Sequence, residues 1–278
     1  VRVRCNTISS IGYDQSDAYA EGIYLGHGNA PFDTGSSHII VSRNEITDVL
    51  ADGIDVKAGV TDVLITANHI HDLDFSATSF GRAITLAADN RSFSDAGYRV
   101  EGNVIERISS ARNDDAIGIL IGHGDTVIRN NVVSDIEDAA IAAQRHGSRF
   151  GWGNPDERDV AIHNNTLWNC GSTCLLDRGS RAVIDARNNF ASDPIEPGAP
   201  TAAADDFVGP LDRTSDAGGG PGTAFALADT SAAVDAGTTL TFVSDLLRVS
   251  RPQGATWDLG ALERVAEASE PANPLVSA

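Results

Sequence analysis

The chain is poor in the residue types that mark several common classes of protein. It has no methionine, three cysteines and only 6% aromatic residues. No apolar stretch approaches the roughly 18 residues that a membrane-spanning helix needs. Acidic residues outnumber basic ones by 39 to 20, and the resulting net charge of −19 opposes binding to nucleic acid. Because methionine is absent, we expect that upstream repeats of the structure or a signal peptide have been removed.

A motif of the form N-x-apolar-x-x-apolar recurs through the first part of the chain. Successive copies begin 24 to 38 residues apart. Their first residues, the last in a weaker copy, are Asn6, Asn44, Asn68, Asn103, Asn131, Asn165 and Asn189. A unit that recurs with tolerated insertions buries its apolar face by stacking on its neighbours, so the pattern predicts a solenoid.

Within each copy the apolar residues alternate with a period of two, which is typical of β-strands. A further short strand follows and opens with a small residue and an aliphatic one, as in Gly53-Ile54 and Ala140-Ile141. Three short strands per repeat without helical segments predict an all-β, right-handed parallel β-helix over residues 1–190. Equivalent residues would stack roughly 4.8 Å apart. The asparagines would then form a hydrogen-bonded ladder inside a bend.

These nested signals resemble the pectate-lyase-like superfamily of parallel β-helix proteins. The resemblance implies the fold but leaves the reaction open, because the superfamily includes lyases, hydrolases, epimerases and non-catalytic surface proteins. In residues 191–263, the segments Ser231 to Gly237 and Trp257 to Glu263, with Arg251, are similar to the closing segment of secreted β-helix proteins. This second resemblance implies an irregular cap over the last rung. Residues 264–278 are predicted to be a disordered tail.

One outward face of the predicted β-helix gathers polar side chains. If Ile54 and Val56 face inward, Asp55 and Lys57 face outward, in columns with residues of neighbouring rungs. The enlarged loops 12–20, 74–81 and 109–115 enter the same strand position and would form the walls of a groove. The candidate substrate-binding residues on this face are Tyr24, His27, His123, Arg145 and His146, and the charged residues just before the strand include Glu21, Asp52 and Arg82.

Lys57 is the only lysine in the chain, and arginine is a poor base near neutral pH. The segment Asp52-Gly-Ile-Asp55-Val-Lys57 also resembles the Asp-Gly…Lys stretch of β-helix polysaccharide lyases. That resemblance implies that Lys57 takes the C5 proton of a uronic acid. It further implies that Glu21, Asp52 and Asp55 bind Ca²⁺ and that Arg82 clamps the substrate carboxylate. The structural alternative is an ion pair between Lys57 and Asp55 on the strand surface, worth under about 1 kcal/mol.

The function predicted from these residues is that of an extracellular carbohydrate-active protein. Most concretely, it would cleave a uronate-containing polysaccharide by β-elimination with Ca²⁺. We expect a secreted or cell-surface monomer whose partner is an acidic polysaccharide or a cell-surface glycan. Two alternatives stay open: a non-catalytic adhesion module that binds glycans, and a β-helix glycoside hydrolase. The hydrolase would use paired carboxylates, either Asp52 with Asp55 or Asp89 with Asp115.

The remaining histidines and cysteines are interpreted as structural. His69 and His71 flank the inward Ile70, and we expect them to be solvated surface residues in preference to a metal pair. Cys170 and Cys174 occupy positions that small or apolar residues hold in other copies. The sequence leaves open whether these two cysteines form a disulfide.

Overall fold

The computed structural model describes residues 1–12, 20–27, 35–57, 59–75, 81–86, 97–110, 116–122, 125–144, 159–178, 183–193, 195, 199–208 and 223–265. In chain order the strands are β1 (Arg2–Arg4), β2 (Thr7–Ile8), β3 (Ile23–Leu25), β4 (Ser37–Ser42), β5 (Glu45–Thr47), β6 (Ile54–Val56), β7 (Thr61–Thr66), β8 (His69–Asp74), β9 (Gly81–Leu86), β10 (Tyr98–Glu101), β11 (Val104–Ser109), β12 (Ala116–Ile121), β13 (Thr126–Arg129), β14 (Val132–Ile136), β15 (Ala139–Gln144), β16 (Asp159–His163), β17 (Thr166–Cys170), β18 (Thr173–Arg178), β19 (Val183–Arg187) and β20 (Phe190–Ala191). Two single-turn 3₁₀ helices follow, at Ala204–Asp206 and Thr223–Phe225.

The strands form three parallel sheets, and within a sheet each strand pairs with the strand three positions further along the chain. Sheet 1 has the order β1-β4-β7-β10-β13-β16-β19, and sheet 2 has the order β2-β5-β8-β11-β14-β17-β20. Sheet 3 has the order β3-β6-β9-β12-β15-β18. Each turn of the chain therefore adds one strand to each sheet, which is the architecture of a parallel β-helix. The predicted fold class is confirmed.

One aliphatic residue from each strand of sheet 3 stacks in register along the axis. The column contains Ile23, Ile54, Ile84, Ile119, Ile141 and Leu175. Members of this column belong to the apolar core that the three sheets enclose. Stacking like over like lets β-branched side chains fill the interior of each rung against the same residue type above and below.

The seven motif asparagines form a continuous hydrogen-bonded ladder. From Asn6 to Asn189, each side-chain amide donates to the Oδ1 atom of the next asparagine at 2.8 to 3.0 Å. The backbone N–H of each of the first six donates to the same oxygen. The interior members are almost fully buried. The ladder thus satisfies the polar groups of the bend between sheets 1 and 2, as predicted.

This bend has a backbone conformation that the sequence motif does not reveal. The residue before every ladder asparagine has a positive φ of 50° to 68°, although only one of the seven is glycine. They are Cys5, Arg43, Ala67, Gly102, Asn130, Asn164 and Asn188. The left-handed conformation is disfavoured for residues with a Cβ atom. The hydrogen bonds of the adjacent asparagine provide the compensating stabilisation in each rung.

The C-terminal segment packs along the side of the β-helix. The amide side chains of Asn130, Asn164 and Asn188 donate to its backbone carbonyls at 2.8, 3.1 and 2.6 Å. Its apolar residues join Val104, Val132 and Phe190 of sheet 2 in a second core. Thr201 also forms a bridge to the last strand of sheet 2. The segment therefore contacts several successive rungs. Most of the predicted tail, residues 266–278, lies outside the described residues.

A buried ion pair lies among the C-terminal residues that resemble the closing segment of secreted β-helix proteins. Arg251 Nη1 donates to Glu263 Oε2 at 2.7 Å, and both side chains are fully buried. The Arg251 guanidinium also donates to the carbonyls of Asp258 and Gly260, while the backbone N–H of Gln253 donates to Glu263 Oε1. Buried charges need such partners, so the arginine and the glutamate fix the conformation of the segment between them.

Cys170 and Cys174 form a disulfide, with their Cα atoms 5.2 Å apart. The bridge joins the end of β17 to the start of β18, across the bend between sheets 2 and 3. Cys5 is an exposed free thiol. In the described part of the chain, no helix is long and apolar enough to cross a membrane.

Candidate functional site

The outward face of sheet 3 carries a column whose polar members lie only in the first three rungs. Strand register aligns Tyr24, Asp55 and Thr85. The column then continues through the apolar residues Leu120, Ala142 and Leu176. The predicted column is confirmed, and the chemistry it can carry is confined to strands β3, β6 and β9.

Lys57 and Asp55 form a close ion pair on this face. The ammonium nitrogen of Lys57 lies 2.7 Å from Asp55 Oδ2, and 5.2 Å from the centre of the Tyr24 ring. The Tyr24 side chain is 41% exposed and covers the ion pair from one side. A lysine placed between a carboxylate and an aromatic face is held by both charge and ring quadrupole.

The ion pair that was the structural alternative is present, but it is less exposed than a pair on the strand surface. Asp55 is only 1% exposed, and the Lys57 side chain is 21% exposed. Asp55 occupies the middle rung of the polar column, where neighbouring rungs and the lysine shield it from water. Its second oxygen, Oδ1, is also buried and accepts no hydrogen bond from the described part of the chain. An unpartnered buried carboxylate oxygen is costly unless it serves a ligand.

Asp52 and Arg82 join the same cluster from adjacent rungs. The backbone N–H of Arg82 donates to Asp52 Oδ1 at 2.8 Å, and the N–H of Gly53 donates to the Arg82 carbonyl at 2.9 Å. Gly53 leaves room for this contact, because a Cβ atom there would come within 2.7 Å of the Ala83 carbonyl oxygen. Arg82 thus lies beside Asp52, which also interacts electrostatically with Lys57.

The carboxyl groups of the cluster are hard to ionise together. Burial raises the pKa of Asp55 to about 7, and repulsion from Asp52 and Glu21 adds to the effect, while Lys57 opposes it. Burial likewise raises the pKa of Asp52, against the attraction of Arg82. Burial also raises the pKa of Glu21, and repulsion from Asp52 contributes. Carboxyl groups with raised pKa values in one cluster are typical of functional sites.

A family model described as a right-handed β-helix region matches residues 1–151, which is more than half of the chain. The chain belongs to this right-handed β-helix family. A solved structure described as the crystal structure of pectate lyase Pel9A is similar to this β-helix protein with 16% sequence identity and a TM-score of 0.39, covering 95% of this chain and 87% of that chain. No curated protein matches the chain at a significant level.

Several predicted site residues lie outside the part of the β-helix that can be compared with the prediction. The described residues do not include three of the candidate substrate-binding residues, namely His123, Arg145 and His146. They also leave out the proposed pair Asp89 and Asp115 and most of the loops 12–20, 74–81 and 109–115. His27 lies two residues after the end of β3 and is exposed.

The donor chemistry of the cluster fits a hard divalent cation. Glu21, Asp52 and Asp55 offer carboxylate oxygens, which Ca²⁺ prefers, and Asp55 has a buried oxygen with no hydrogen-bond donor among the described residues. In the described part of the chain these three carboxylates are not gathered within 4.8 Å of one another as a set. Burial raises the pKa of all three carboxyl groups, and a cation bound beside them would favour their ionised forms.

The structure also corrects the interpretation of two histidines on sheet 2. His69 and His71 were expected to be solvated, but their side chains are 11% and 10% exposed. The reason is that acidic side chains of neighbouring rungs, Glu45 and Glu106, pack against the two rings. The alternation of inward and outward residues, which the sequence shows, does not reveal such lateral packing.

Proposed function

We propose that this β-helix protein cleaves a uronate-containing polysaccharide by β-elimination, with Lys57 as the base that removes the C5 proton. The observation that carries the proposal is the largely buried ion pair of Lys57 and Asp55, surrounded by Glu21, Asp52 and Arg82 on one face of sheet 3. The Asp-Gly…Lys resemblance supports the same assignment. The site of action would be extracellular, where such polymers occur.

Asp55 positions the lysine for this role. Its carboxylate fixes the ammonium nitrogen at 2.7 Å, and the Tyr24 ring restricts the side chain from the other side. Because the Asp55 pKa lies near 7, its proton occupancy changes in the range where a base must operate. A group that takes the proton from Lys57, or a cation that competes for Asp55, would leave the amine able to act as a base.

The charge of the cluster explains why a cation would be required. Three carboxylates face two cationic side chains, and the whole chain carries a charge of −19. An anionic polymer is therefore repelled unless positive charge is added. Glu21, Asp52 and Asp55 would hold the ion. Bound Ca²⁺ would neutralise the uronate carboxylate and acidify the neighbouring C–H bond.

Arg82 and Tyr24 would contact the substrate on either side of the base. Arg82 lies next to Asp52 on the following rung, within reach of a carboxylate that approaches the cluster. A guanidinium binds a carboxylate with two parallel hydrogen bonds, so it can select for a uronate. The exposed Tyr24 ring offers a face on which a sugar can stack.

Incubation with pectate, alginate and glycosaminoglycans, with Ca²⁺ or with a chelator, tests the proposal. The product of β-elimination contains a carbon–carbon double bond that absorbs ultraviolet light. We expect Lys57→Ala and Lys57→Arg each to lose about 100-fold or more of the activity, since arginine stays protonated. Arg129→Ala, which breaks the comparable half-buried pair with Glu101 on sheet 1, should retain it.

Full activity in Lys57→Arg, or no unsaturated product from any of the polymers, would contradict the proposal. Retained glycan binding without product would instead support the non-catalytic module.

One observation favours a second candidate, glycoside hydrolysis. The Asp55 pKa of about 7 is the value that a general acid needs near neutral pH, and Asp52 is a second carboxylate in the same cluster. Hydrolysis creates new reducing ends without an unsaturated product. Its activity would be lost in Asp55→Asn but retained in Lys57→Arg, whereas the lyase would lose its activity in Lys57→Arg.

A further inference from the structure

A second cluster of ligand-forming side chains lies on sheet 2, away from the sheet 3 cluster. Glu45 on β5 and His69 on β8 are aligned by strand register, as are Thr47 and His71. One carboxylate oxygen of Glu45 and one ring nitrogen from each histidine all lie within 4.8 Å of one another. The three residues come from adjacent rungs, and their side chains face outward.

The two imidazole rings are held in a fixed arrangement. They stack with their centroids 4.1 Å apart and an interplanar angle of 27°. His71 is buried, and its Nε2 atom has no hydrogen-bond partner among the described residues. Glu45 Oε1 lies 3.6 Å from this nitrogen, which is too long for a hydrogen bond. A buried nitrogen without a partner indicates a ligand position.

The other nitrogen of His71 has the partner that metal-binding histidines usually have. His71 Nδ1 lies 2.7 Å from Asp72 Oδ2, and Arg107 binds the same carboxylate through Nε at 2.6 Å and Nη2 at 3.0 Å. A carboxylate can only accept, so in the neutral ring Nδ1 carries the proton and Nε2 presents its lone pair. Such carboxylate–histidine pairs orient the ring and increase the basicity of the free nitrogen.

His69 is oriented in a similar way from the following rung. Its Nε2 atom lies 2.9 Å from Glu106 Oε1, and Arg107 Nη1 lies 2.9 Å from the same oxygen. Arg107 thus bridges the carboxylates that hold both histidines. Glu45, by contrast, has an exposed side chain that can adjust to a bound ion.

We propose that Glu45, His69 and His71 bind one Zn²⁺ ion, with water completing the coordination. Two imidazole nitrogens and one carboxylate oxygen form a ligand set that suits a first-row transition metal, whereas Ca²⁺ takes oxygen ligands. With metal–ligand bonds of about 2.0 to 2.2 Å, the ligand atoms must approach to roughly 3.4 Å. Movement of the exposed Glu45 side chain would bring its oxygen to this distance, with a smaller adjustment of the rings, and the ion would join two adjacent rungs. This site is independent of the proposed lyase activity.

Titration of the untagged, metal-free protein with Zn²⁺ in a calorimeter, and with Co²⁺ followed by its visible absorption, tests the site. All variants carry Cys5→Ser, because the exposed thiol is a competing ligand. We expect one ion per chain and a Co²⁺ spectrum of tetrahedral type. Both should be lost in His71→Gln and in Glu45→Gln, and Asp72→Asn should weaken binding by about 10- to 100-fold.

His163→Gln is the matched control. His163 also lies on an outward strand face and contacts a carboxylate, since its Nε2 atom is 3.0 Å from Asp185 Oδ2 on the next rung. This variant should bind both metals like the parent. Glu45 is exposed, so its substitution separates loss of metal binding from loss of folding. Absence of saturable binding, or equal binding in the parent and Glu45→Gln, would overturn the proposal.

Discussion

Removing one interior rung of the asparagine ladder should destabilise the protein far more than removing its exposed end. Asn103 is fully buried, and its side chain takes part in four hydrogen bonds of 3.0 Å. Its oxygen accepts from the backbone and the side chain of Asn68, and its amide donates to the Ile65 carbonyl and to Asn131. Asn103→Ala removes all four at once.

The magnitude follows from the buried groups that lose a partner. The two donors of Asn68 lose their acceptor, and each unsatisfied buried group costs about 1 to 3 kcal/mol. We therefore expect the free energy of unfolding to fall by roughly 4 kcal/mol, against a typical total of about 5 to 15 kcal/mol. For a chain of this size, the melting temperature should fall by roughly 10 °C.

Urea unfolding followed by circular dichroism measures the difference, with Asn6→Ala as the matched control. Asn6 has the same position in its rung, but it is exposed and its side chain donates one bond, to Asn44 Oδ1 at 2.8 Å. Its substitution should cost about 1 kcal/mol or less. If the two variants lose the same stability, the ladder does not stabilise the interior as argued, and the reasoning is refuted.

Two further predictions concern buried charges. The folded-state pKa of Asp55 is raised from 3.8 to about 7, so its contribution to stability is complete below about pH 4 and is lost as the pH rises through 7. With a chelator present, the free energy of unfolding of the parent, measured with urea, should therefore fall between pH 5 and pH 8 by roughly 2 to 3 kcal/mol more than that of Asp55→Asn. The same pH dependence of unfolding in both proteins would contradict this. Arg251→Met leaves the buried Glu263 carboxylate unpaired and should cost about 3 to 5 kcal/mol, whereas Arg264→Met, at an exposed pair with Asp229, should change the unfolding midpoint little. Equal losses of stability in the two arginine variants would show that burial does not determine how much an ion pair contributes.

The fold could be predicted because its signals are local and repeated. The spacing of Asn44, Asn68 and the other ladder residues, with apolar residues at alternate positions, fixes which side chains point inward in every rung. Repetition over seven copies makes this pattern far stronger than that of a single strand. The left-handed residue before each asparagine could not be predicted in the same way. Arg43 and Ala67 have no preference for that conformation, and only the hydrogen bonds of the folded rung favour it.

The candidate sites were only partly visible in the sequence. Alignment of rungs placed Lys57, Asp55 and Arg82 on one face, because strand register follows from the repeat. Whether the outward-facing Asp55 is exposed or buried depends on what the neighbouring rungs place over it, and the sequence pattern does not show this. The contact of Glu45 with His71 likewise joins residues from different rungs, and no single motif contains both.

The sequence by itself determined the solenoid, the ladder and the columns of stacked side chains, because all of these follow from the direction in which each residue of a strand points. Only the tertiary structure decided how strongly the charged groups interact. Burial raises the pKa of Asp55, and the packing of neighbouring rungs leaves the Nε2 atom of His71 without a hydrogen-bond partner in the described chain. The position of the C-terminal segment against the side of the β-helix is likewise known only from the folded chain. These quantities depend on the dielectric surroundings that side chains from distant rungs create together, which no local pattern encodes.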